Sequence, residues 1–598
     1  MADDNRKKWH RLPRIKFNRK SITKRARKFE AVTIRHARKF VFKRWGNIRD
    51  VQQHVVIWIL MMGILIAATG LQLMWYQQSY KVLAPRTDGT YAEAVLGPVN
   101  TLNPIFANSS AEQSASYLMF SRLMRYDTTG TLGYDLATDI KLNEAKTVYT
   151  VSIRPDVKWH DGTKLTADDI AFTINLIKNP NVRSTITGWH DISIKVINQT
   201  TIEFILKSTY SAFEHVLTFP ILPKHVLGNV APANIRENNF SQNPIGSGPF
   251  KLRFTQDVDI NTSRKIVYMA RNDNYYHDMA KLAHFQLHVY STTDDIVNAL
   301  SSNEVNAAND LLPNDIAQIN QKKYTVLSKP IQSGVYAILN TKSTLVSDPQ
   351  IRKALQVGTD TVAIRGKLSV KALALDLPLM NNQLIGDVPK LPGYNQASAM
   401  KILDDAGWKL NSTNVRVKDS KELKLSVVTL KNSEFEGVLE TISGQWRKLG
   451  ISIDTKVLDP ADVTQNAIQT ILQPRNFDVL LYQLNIGADP DVYAYWHSSQ
   501  ATSQGSNFSN YSNVISDDAL LSARARVEPS LRNAKYLTFV RQWLVDVPAI
   551  GLYQSTTQYA RSSNVKSFDN SVVLVSSIDR YSDVLNWSVG TNKVYKTP

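Results

Sequence analysis

Residues 149–174 read YTVSIRPDVKWHDGTKLTADDIAFTI, and this stretch decides the fold of the chain. Tyr149, Val151 and Ile153 alternate with polar residues, and this period of two predicts a half-buried strand. A proline ends the strand, and the Trp-His-Asp-Gly that follows is typical of a turn. Thr166 stands three residues before Asp169, ahead of an apolar run, which is the arrangement of a capping box. The stretch therefore predicts a strand, a turn and a capped helix.

The chain has 598 residues, of which 43% are hydrophobic and 20% charged, and it contains no cysteine. This length exceeds what a single hydrophobic core supports, so we expect two or more lobes. The absence of cysteine excludes disulfides, thiolate metal sites and cysteine nucleophiles. It also excludes a lipidated cysteine as a membrane tether, so a surface-bound form of this protein needs another anchor.

The net charge of +18 is concentrated in an amino-terminal arm. Residues 1–54 contain 18 Lys or Arg and 4 Asp or Glu, which leaves the rest of the chain close to neutral. From Phe29 to Ile48, apolar residues recur at roughly helical spacing among basic ones, and this favours a helix on an anionic inner membrane leaflet. A disordered topogenic tail and a nucleic-acid-binding arm are the alternatives. A membrane segment follows directly, so membrane lipids are the expected partner and nucleic acid is not.

An uncharged segment of thirty residues, between Asp50 and Lys81, has its apolar centre at Val55–Tyr76. About twenty such residues span a bilayer as a helix. The alternatives are a cleaved signal peptide and a buried core helix. However, the apolar run is longer than that of a signal peptide, and so is the basic segment that precedes it. We predict an uncleaved signal anchor. The excess of basic residues before it places the amino terminus in the cytoplasm and the body outside the cell.

The stretch at 149–174 also carries a resemblance. Its pattern R-x-x-V-K-W-H-D-G-x-x-L-T-A-D-D-I resembles the signature of the family 5 extracellular solute-binding proteins, the oligopeptide, dipeptide and nickel receptors of ABC importers. Asn243–Phe250 resembles the family's Pro-x-Gly-Thr-Gly-Pro segment, which we expect to be a structural turn near the connection between lobes. Ala397–Trp408 and Ala534–Tyr553 resemble two of its helices. The resemblance covers about residues 88–585.

The resemblance implies an α/β, two-lobed periplasmic-binding-protein-like fold of type II, cluster C, with an extra subdomain, preceded here by one transmembrane helix. It divides the chain into a cytoplasmic arm, an anchor, a linker, a discontinuous first lobe with its subdomain, and a second lobe. The predicted boundaries are 1–54 for the arm, 55–76 for the anchor, 77–90 for the linker, 91–125 with 240–328 and 575–598 for lobe I, 126–239 for the subdomain, and 329–574 for lobe II.

The function that the resemblance implies is capture of a solute between two lobes and delivery to the subunits of an ABC permease. The expected solute is peptide-like, although relatives also bind sugars, opines and metal chelates. No bond chemistry, cofactor or metal is required. A sensor or adhesin that kept the fold is one alternative. An extracellular hydrolase is another, but the sequence has no His-Glu-x-x-His motif and no nucleophile elbow, and His160 is better explained as a turn residue.

Seven residues are candidate ligand contacts by their positions in the resemblance or beside it: Asn103, Tyr336, Gln483, Asn485, Ile486, Asp489 and Trp496. Several peptide receptors of the family place a carboxylate three residues before a final acid, where it pairs with the amino group of the peptide. Ile486 occupies that position here, and an aliphatic side chain does not offset the desolvation of an ammonium group. The sequence therefore argues against recognition of a free amino terminus. Asp489 is expected either to fix its loop or to contact the solute.

Overall fold

The computed structural model describes residues 52–79, 81–459 and 466–595, together with positions 31, 34, 35 and 39 of the arm. The predicted amphipathic helix at Phe29–Ile48 lies outside these residues except at those four positions. The chain divides into two compact units, one of residues 1–84 with 593–598 and one of residues 85–592, which we call the body.

The described part of the first unit includes the long helix Gln52–Ser79, which is mostly apolar between its polar ends. An 18-residue window within Gln52–Tyr76 has a mean hydropathy of 2.2, and none of these residues is buried by the rest of the protein. A helix of this length is longer than the hydrocarbon core of a bilayer is thick. The prediction of a helix at Val55–Tyr76 is confirmed. Within the predicted linker at 77–90, Lys81–Pro85 forms a strand that pairs with Thr591–Tyr595.

The body is organised by one sheet of ten strands. From edge to edge the strands are Ser452–Leu458, Lys424–Leu430, Val479–Asn485, Tyr324–Leu339, Ala549–Ser562, Ala307–Leu311, Gly89–Leu96, Leu282–Tyr290, Arg264–Arg271 and Phe250–Asp259. The longer helices that cover the sheet are Ser110–Met119, Thr293–Ser302, Pro349–Val357, Gln396–Asp405, Ser433–Arg447, Val514–Arg524 and Pro529–Asp546.

Two long neighbouring strands run through both halves of this sheet. Tyr324–Leu339 and Ala549–Ser562 pair antiparallel, and their register breaks between Pro330 and Gly334. We call the half built around Gly89–Leu96 lobe I and the half built around Val479–Asn485 lobe II. Two hydrophobic clusters fill the core of each half. The two-lobed α/β fold is confirmed.

The stretch that predicted the fold lies in a separate subdomain of lobe I. Val148–Ile153 is a strand of a four-stranded antiparallel sheet with Ala137–Leu142, Thr201–Leu206 and Ile192–Asn198, and the helix Ala167–Lys178 follows the turn. The carboxylate of Asp169 accepts hydrogen bonds from the backbone N–H groups of Thr166 and Lys224, both at 2.8 Å. The capping residue therefore also ties the helix to the next segment of the subdomain.

His160 joins the two sequence motifs that carry the family resemblance. Its Nδ1 accepts a hydrogen bond from the N–H of Gly246 at 3.2 Å, so its Nε2 carries the proton and donates to the carbonyl of Gly248 at 3.1 Å. Gly246 also packs so closely that a Cβ would lie 1.9 Å from the Met119 carbonyl oxygen. The segment Asn243–Phe250 was expected near the connection between lobes. Its contacts are instead with lobe I and the subdomain, because the connection is made by the two long strands.

Candidate functional site

Three of the predicted ligand contacts are fully buried in this conformation. Asn103 caps the short helix Pro104–Phe106, where its side chain accepts from the N–H of Ile105. The Tyr336 hydroxyl donates to the carbonyl of Leu377 at 2.8 Å. Trp496 packs edge-on against Tyr336 inside the core of lobe II. Tyr336 and Trp496 support the core of lobe II, and Asn103 supports the short helix Pro104–Phe106 of lobe I. None of the three side chains is exposed to a solute in this conformation.

Of the other four, Gln483 and Asn485 belong to the end of the strand Val479–Asn485 of lobe II, and Ile486 and Asp489 lie on the loop that follows it. Gln483 is half-buried, and Asn485 is exposed with its side chain bonded to the Ser333 hydroxyl at 2.8 Å. Ile486 is only 6% exposed and belongs to the hydrophobic core of lobe II. An ammonium group beside Ile486 would lose its hydration without gaining a partner.

Both carboxylates of this loop are paired with arginines from lobe II helices. Asp489 forms a two-pronged ion pair with Arg532, with Nη–Oδ distances of 2.5 and 2.6 Å. Asp491 lies 3.2 Å from Nε of Arg524. Burial raises the pKa of Asp491, although the charge of Arg524 opposes this. The loop therefore offers no unpaired carboxylate among its described residues.

The loop also meets the subdomain of lobe I across the cleft. His215 of the subdomain places its Nε2 3.9 Å from Asp489 Oδ2, and its Nδ1 is 2.9 Å from the hydroxyl of Tyr126. Burial lowers the pKa of His215, and the negative charge of Asp489 only partly offsets this. The side chain therefore favours the neutral form, as suits a half-buried group between two lobes that are in contact.

A second cross-lobe contact is centred on Arg524. Its guanidinium lies 4.2 Å from the ring centre of Tyr210 in the subdomain and 4.6 Å from that of Tyr493 in lobe II. The carbonyl of Arg524 accepts hydrogen bonds from the N–H and the hydroxyl of Ser211, at 2.9 and 3.0 Å. An arginine held between two aromatic faces is a favourable cation–π arrangement. Together these contacts define a closed arrangement of the two lobes.

A cavity of about 370 Å³ opens between lobe I and its subdomain. This volume lies within the range of small-molecule sites. Its charged lining residues are Arg122, Arg125 and Asp579. Tyr126 also lines the cavity and contacts His215, which in turn contacts Asp489 on the lobe II loop. A single side chain, that of His215, therefore separates the cavity lining from this loop. The remaining lining is mixed: Pro104, Ala107, Gln113, Ser116, Tyr117, Thr185, Ile186, Thr187, Trp189, Val216, Thr218, Phe219, Pro220, Ser576 and Ile578.

The comparisons with known proteins agree with this geometry. The sequence profile of the bacterial extracellular solute-binding proteins, family 5, matches residues 131–506. The chain belongs to this family. Family 5 solute-binding proteins serve ABC importers of peptides or nickel, and they are receptors rather than enzymes, which confirms the prediction that this protein is not an enzyme.

Several relatives match most of the body. The oligopeptide-binding protein AppA of Bacillus subtilis is 26% identical over 500 residues, which are 81% of this chain and 89% of AppA. The solved structure of AppA with a nonapeptide has a TM-score of 0.71 at 23% identity and covers 85% of this chain and 100% of AppA. NikZ of Campylobacter jejuni with Ni(L-His) has a TM-score of 0.72 at 24% identity, covering 83% of this chain and 99% of NikZ. These two structures support the fold.

Sequence reasoning missed the part of this family 5 protein that builds the cavity. A fully buried ion pair joins Arg580 to Glu93 at 2.7 Å, and the hydroxyl of Tyr581 donates to the same carboxylate at 2.8 Å. This network fixes the segment that bears Asp579 against the strand Gly89–Leu96. Glu93 and Arg580 are 487 positions apart, so no local pattern reveals the pair. Nor does the part of the chain that the structure describes contain a group of three or more metal-ligating side chains.

Proposed function

We propose that this protein is a membrane-anchored receptor that captures a peptide-like solute between its two lobes outside the cell and delivers it to an ABC permease. The observation that carries the proposal is the contact between the subdomain and the lobe II loop. Closure around a solute needs residues of both lobes on one site, and His215 and Asp489 meet there. The oligopeptide-binding relatives support a peptide as the solute.

The anchor and the arm complete the proposal. The helix Gln52–Ser79 holds the protein in the membrane, with the body outside. The basic arm lies in the cytoplasm against anionic lipids. The candidate contacts that present surface at the cleft are Gln483 and Asn485, while Asn103, Tyr336, Ile486, Asp489 and Trp496 act by shaping its walls.

The solute is tested by native mass spectrometry of the full chain purified in detergent. We expect a co-purified species that fragments as a peptide. A set of synthetic peptides then tests the Ile486 argument, because peptides with acetylated amino ends should bind as tightly as free ones. Strong preference for the free amino end would refute that argument. A bound solute without amide bonds would refute the peptide assignment.

The orientation is tested by single cysteines, since the chain has none of its own. We expect Thr129→Cys in the body to react with a membrane-impermeant maleimide in intact cells. Ser21→Cys in the arm should react only after lysis. The reverse pattern would overturn the proposed orientation, and release of the body into the medium without its first 79 residues would overturn the uncleaved anchor.

The sensor or adhesin alternative predicts the same binding without transport. Uptake of the identified solute by cells that lack this receptor distinguishes the two. We expect uptake to be lost in its absence and restored by the full chain. Normal uptake without the receptor would favour the sensor.

A further inference from the structure

The cavity between lobe I and its subdomain is lined by two arginines and one carboxylate among its described charged residues. Asp579 is the one carboxylate among its described lining residues, and it already accepts from the N–H and the hydroxyl of Ser576, at 2.7 and 2.9 Å. The hydroxyl of Tyr117 and the indole N–H of Trp189, on two other lining residues, have no hydrogen-bond partner in the described structure. Buried polar groups are normally paired, so these two donors show that this part of the protein is short of acceptors.

Most of the N–H donors of Arg122 have no acceptor in the described structure. Its guanidinium has five N–H donors, and the described structure gives its side chain one hydrogen bond, to the carbonyl of Phe120 at 3.3 Å. The ring of Tyr117 covers one face at 4.6 Å. Within the described chain no carboxylate oxygen lies within 4 Å of the guanidinium nitrogens of Arg122, although Asp135 accepts from its backbone N–H at 3.2 Å. Burial lowers the pKa of Arg122, because the neighbouring negative charges do not make up for its lost hydration.

Arg125 stands beside it with only a partial counter-charge. Its Nε is 3.9 Å from Asp135 Oδ1. That oxygen already accepts from the Tyr276 hydroxyl at 2.9 Å and from His277 at 3.0 Å. Asp135 is therefore shared among several donors, and Asp579 is the single carboxylate beside the two arginines among the described residues that line the cavity.

We propose that this cavity is the subsite for a carboxylate of the solute, held by the guanidinium of Arg122 with Arg125 beside it. The planar fork of an arginine matches the two oxygens of a carboxylate. The proposal rests on the proposed function, since it assigns one chemical group of the captured solute. It also fits the lobe II loop, where Ile486 and two paired carboxylates leave nothing for an ammonium group. The acidic end of the solute is thus recognised, and the amino end is not.

A first experiment does not depend on the solute being a peptide. The thermal unfolding of the full chain in detergent is measured with succinate and with its neutral analogue succinamide. We expect succinate to raise the unfolding temperature and succinamide to leave it unchanged, because a ligand of the folded state stabilises it by mass action. Arg122→Gln should abolish the succinate shift. Arg253→Gln, an equal charge change on the exposed edge of lobe I, should keep it.

A second experiment uses a mixed tripeptide pool with free carboxyl ends and the same pool with amidated ends. We expect the unmodified protein to bind the free acids at least about 10-fold more tightly, a ratio that falls towards one in Arg122→Gln. This comparison on the unmodified protein needs no variant, so a folding defect does not obscure it. Arg122→Lys, which keeps the charge without the fork, should restore part of the ratio.

The outcomes separate this proposal from the proposed function. Succinate stabilisation with no peptide binding would refute the peptide receptor and leave the carboxylate subsite standing. Peptide binding that ignores amidation, with no succinate effect, would leave the receptor standing and overturn the subsite. Equal effects in Arg122→Gln and Arg253→Gln would also overturn it, since the response would then be a general charge effect.

Discussion

His160 holds two glycines of a distant segment through both nitrogens of its ring, and this fixes its charge as well as its position. Burial is the main cause that lowers the pKa of His160 from 6.5 to about 4. The unfolded chain therefore takes up a proton first as the pH falls. The stabilising effect of the neutral ring is complete above about pH 6.5 and is lost as the pH approaches 4, at a cost of roughly 3 kcal/mol.

The variant His160→Gln tests whether the neutral ring of His160 makes the stability of the protein depend on pH. We expect the variant to be less stable at neutral pH but to lose less stability between pH 6.5 and 4 than the unmodified protein. Urea unfolding at a series of pH values measures the difference. The exposed His190→Gln is the matched control and should follow the unmodified profile. Parallel profiles for all three proteins would show that His160 is not the titrating group.

The ion pair between Asp489 and Arg532 gives a second prediction at this scale. Both side chains are largely buried, with 11% and 14% exposed, so loss of one partner leaves the other charge uncompensated. We expect Arg532→Ala to lower the free energy of unfolding by about 3 kcal/mol or more. Lys401→Ala, which breaks an exposed pair with Asp405, should cost less than about 1 kcal/mol. Similar urea midpoints for the two variants would contradict the assigned role of Asp489 in fixing the loop.

Gly246 and Gly437 differ in the space that a side chain would have at each position. A Cβ on Gly246 would lie 1.9 Å from the Met119 carbonyl oxygen, whereas one on Gly437, in the helix Ser433–Arg447, would meet nothing within 4 Å. We expect Gly246→Ala to destabilise the body by at least about 3 kcal/mol, because two backbone segments must move apart. Gly437→Ala should stabilise it by about 0.5–1 kcal/mol, since alanine favours a helix. Equal unfolding temperatures would contradict both assignments.

Elements whose pattern is local were predictable from the sequence. The strand and the capped helix around 149–174 were found because their periodicity and cap lie within a few residues. The strand Lys81–Pro85 was missed because its partner is the distant Thr591–Tyr595. For the same reason the cavity was missed. Arg122 and Asp579 belong to opposite ends of the body, and no spacing in the sequence joins them.

For the whole molecule, the contacts of Arg524 with Tyr210 and Tyr493 hold the closed arrangement. We expect Arg524→Ala to shift the solute-free protein towards an open form and to weaken solute binding by the same factor as it depletes the closed state. Spin labels on cysteines at Thr129 and Leu531, in the subdomain and lobe II, would report longer distances. Lys146→Ala, which removes an exposed cross-lobe pair with Glu528, should change the distances little. Unchanged distances in Arg524→Ala would refute the assignment.

The two long strands that join the lobes have a consequence for the number of ways in which the lobes can move. Because Tyr324–Leu339 and Ala549–Ser562 are hydrogen-bonded neighbours on both sides of the break at Pro330–Gly334, the lobes cannot slide apart or shift along one another without breaking the ladder. Rotation at the break keeps the ladder on both sides intact. We therefore expect the lobes of this receptor to open by rotation about this point, and a distance between labels on the two lobes would report it.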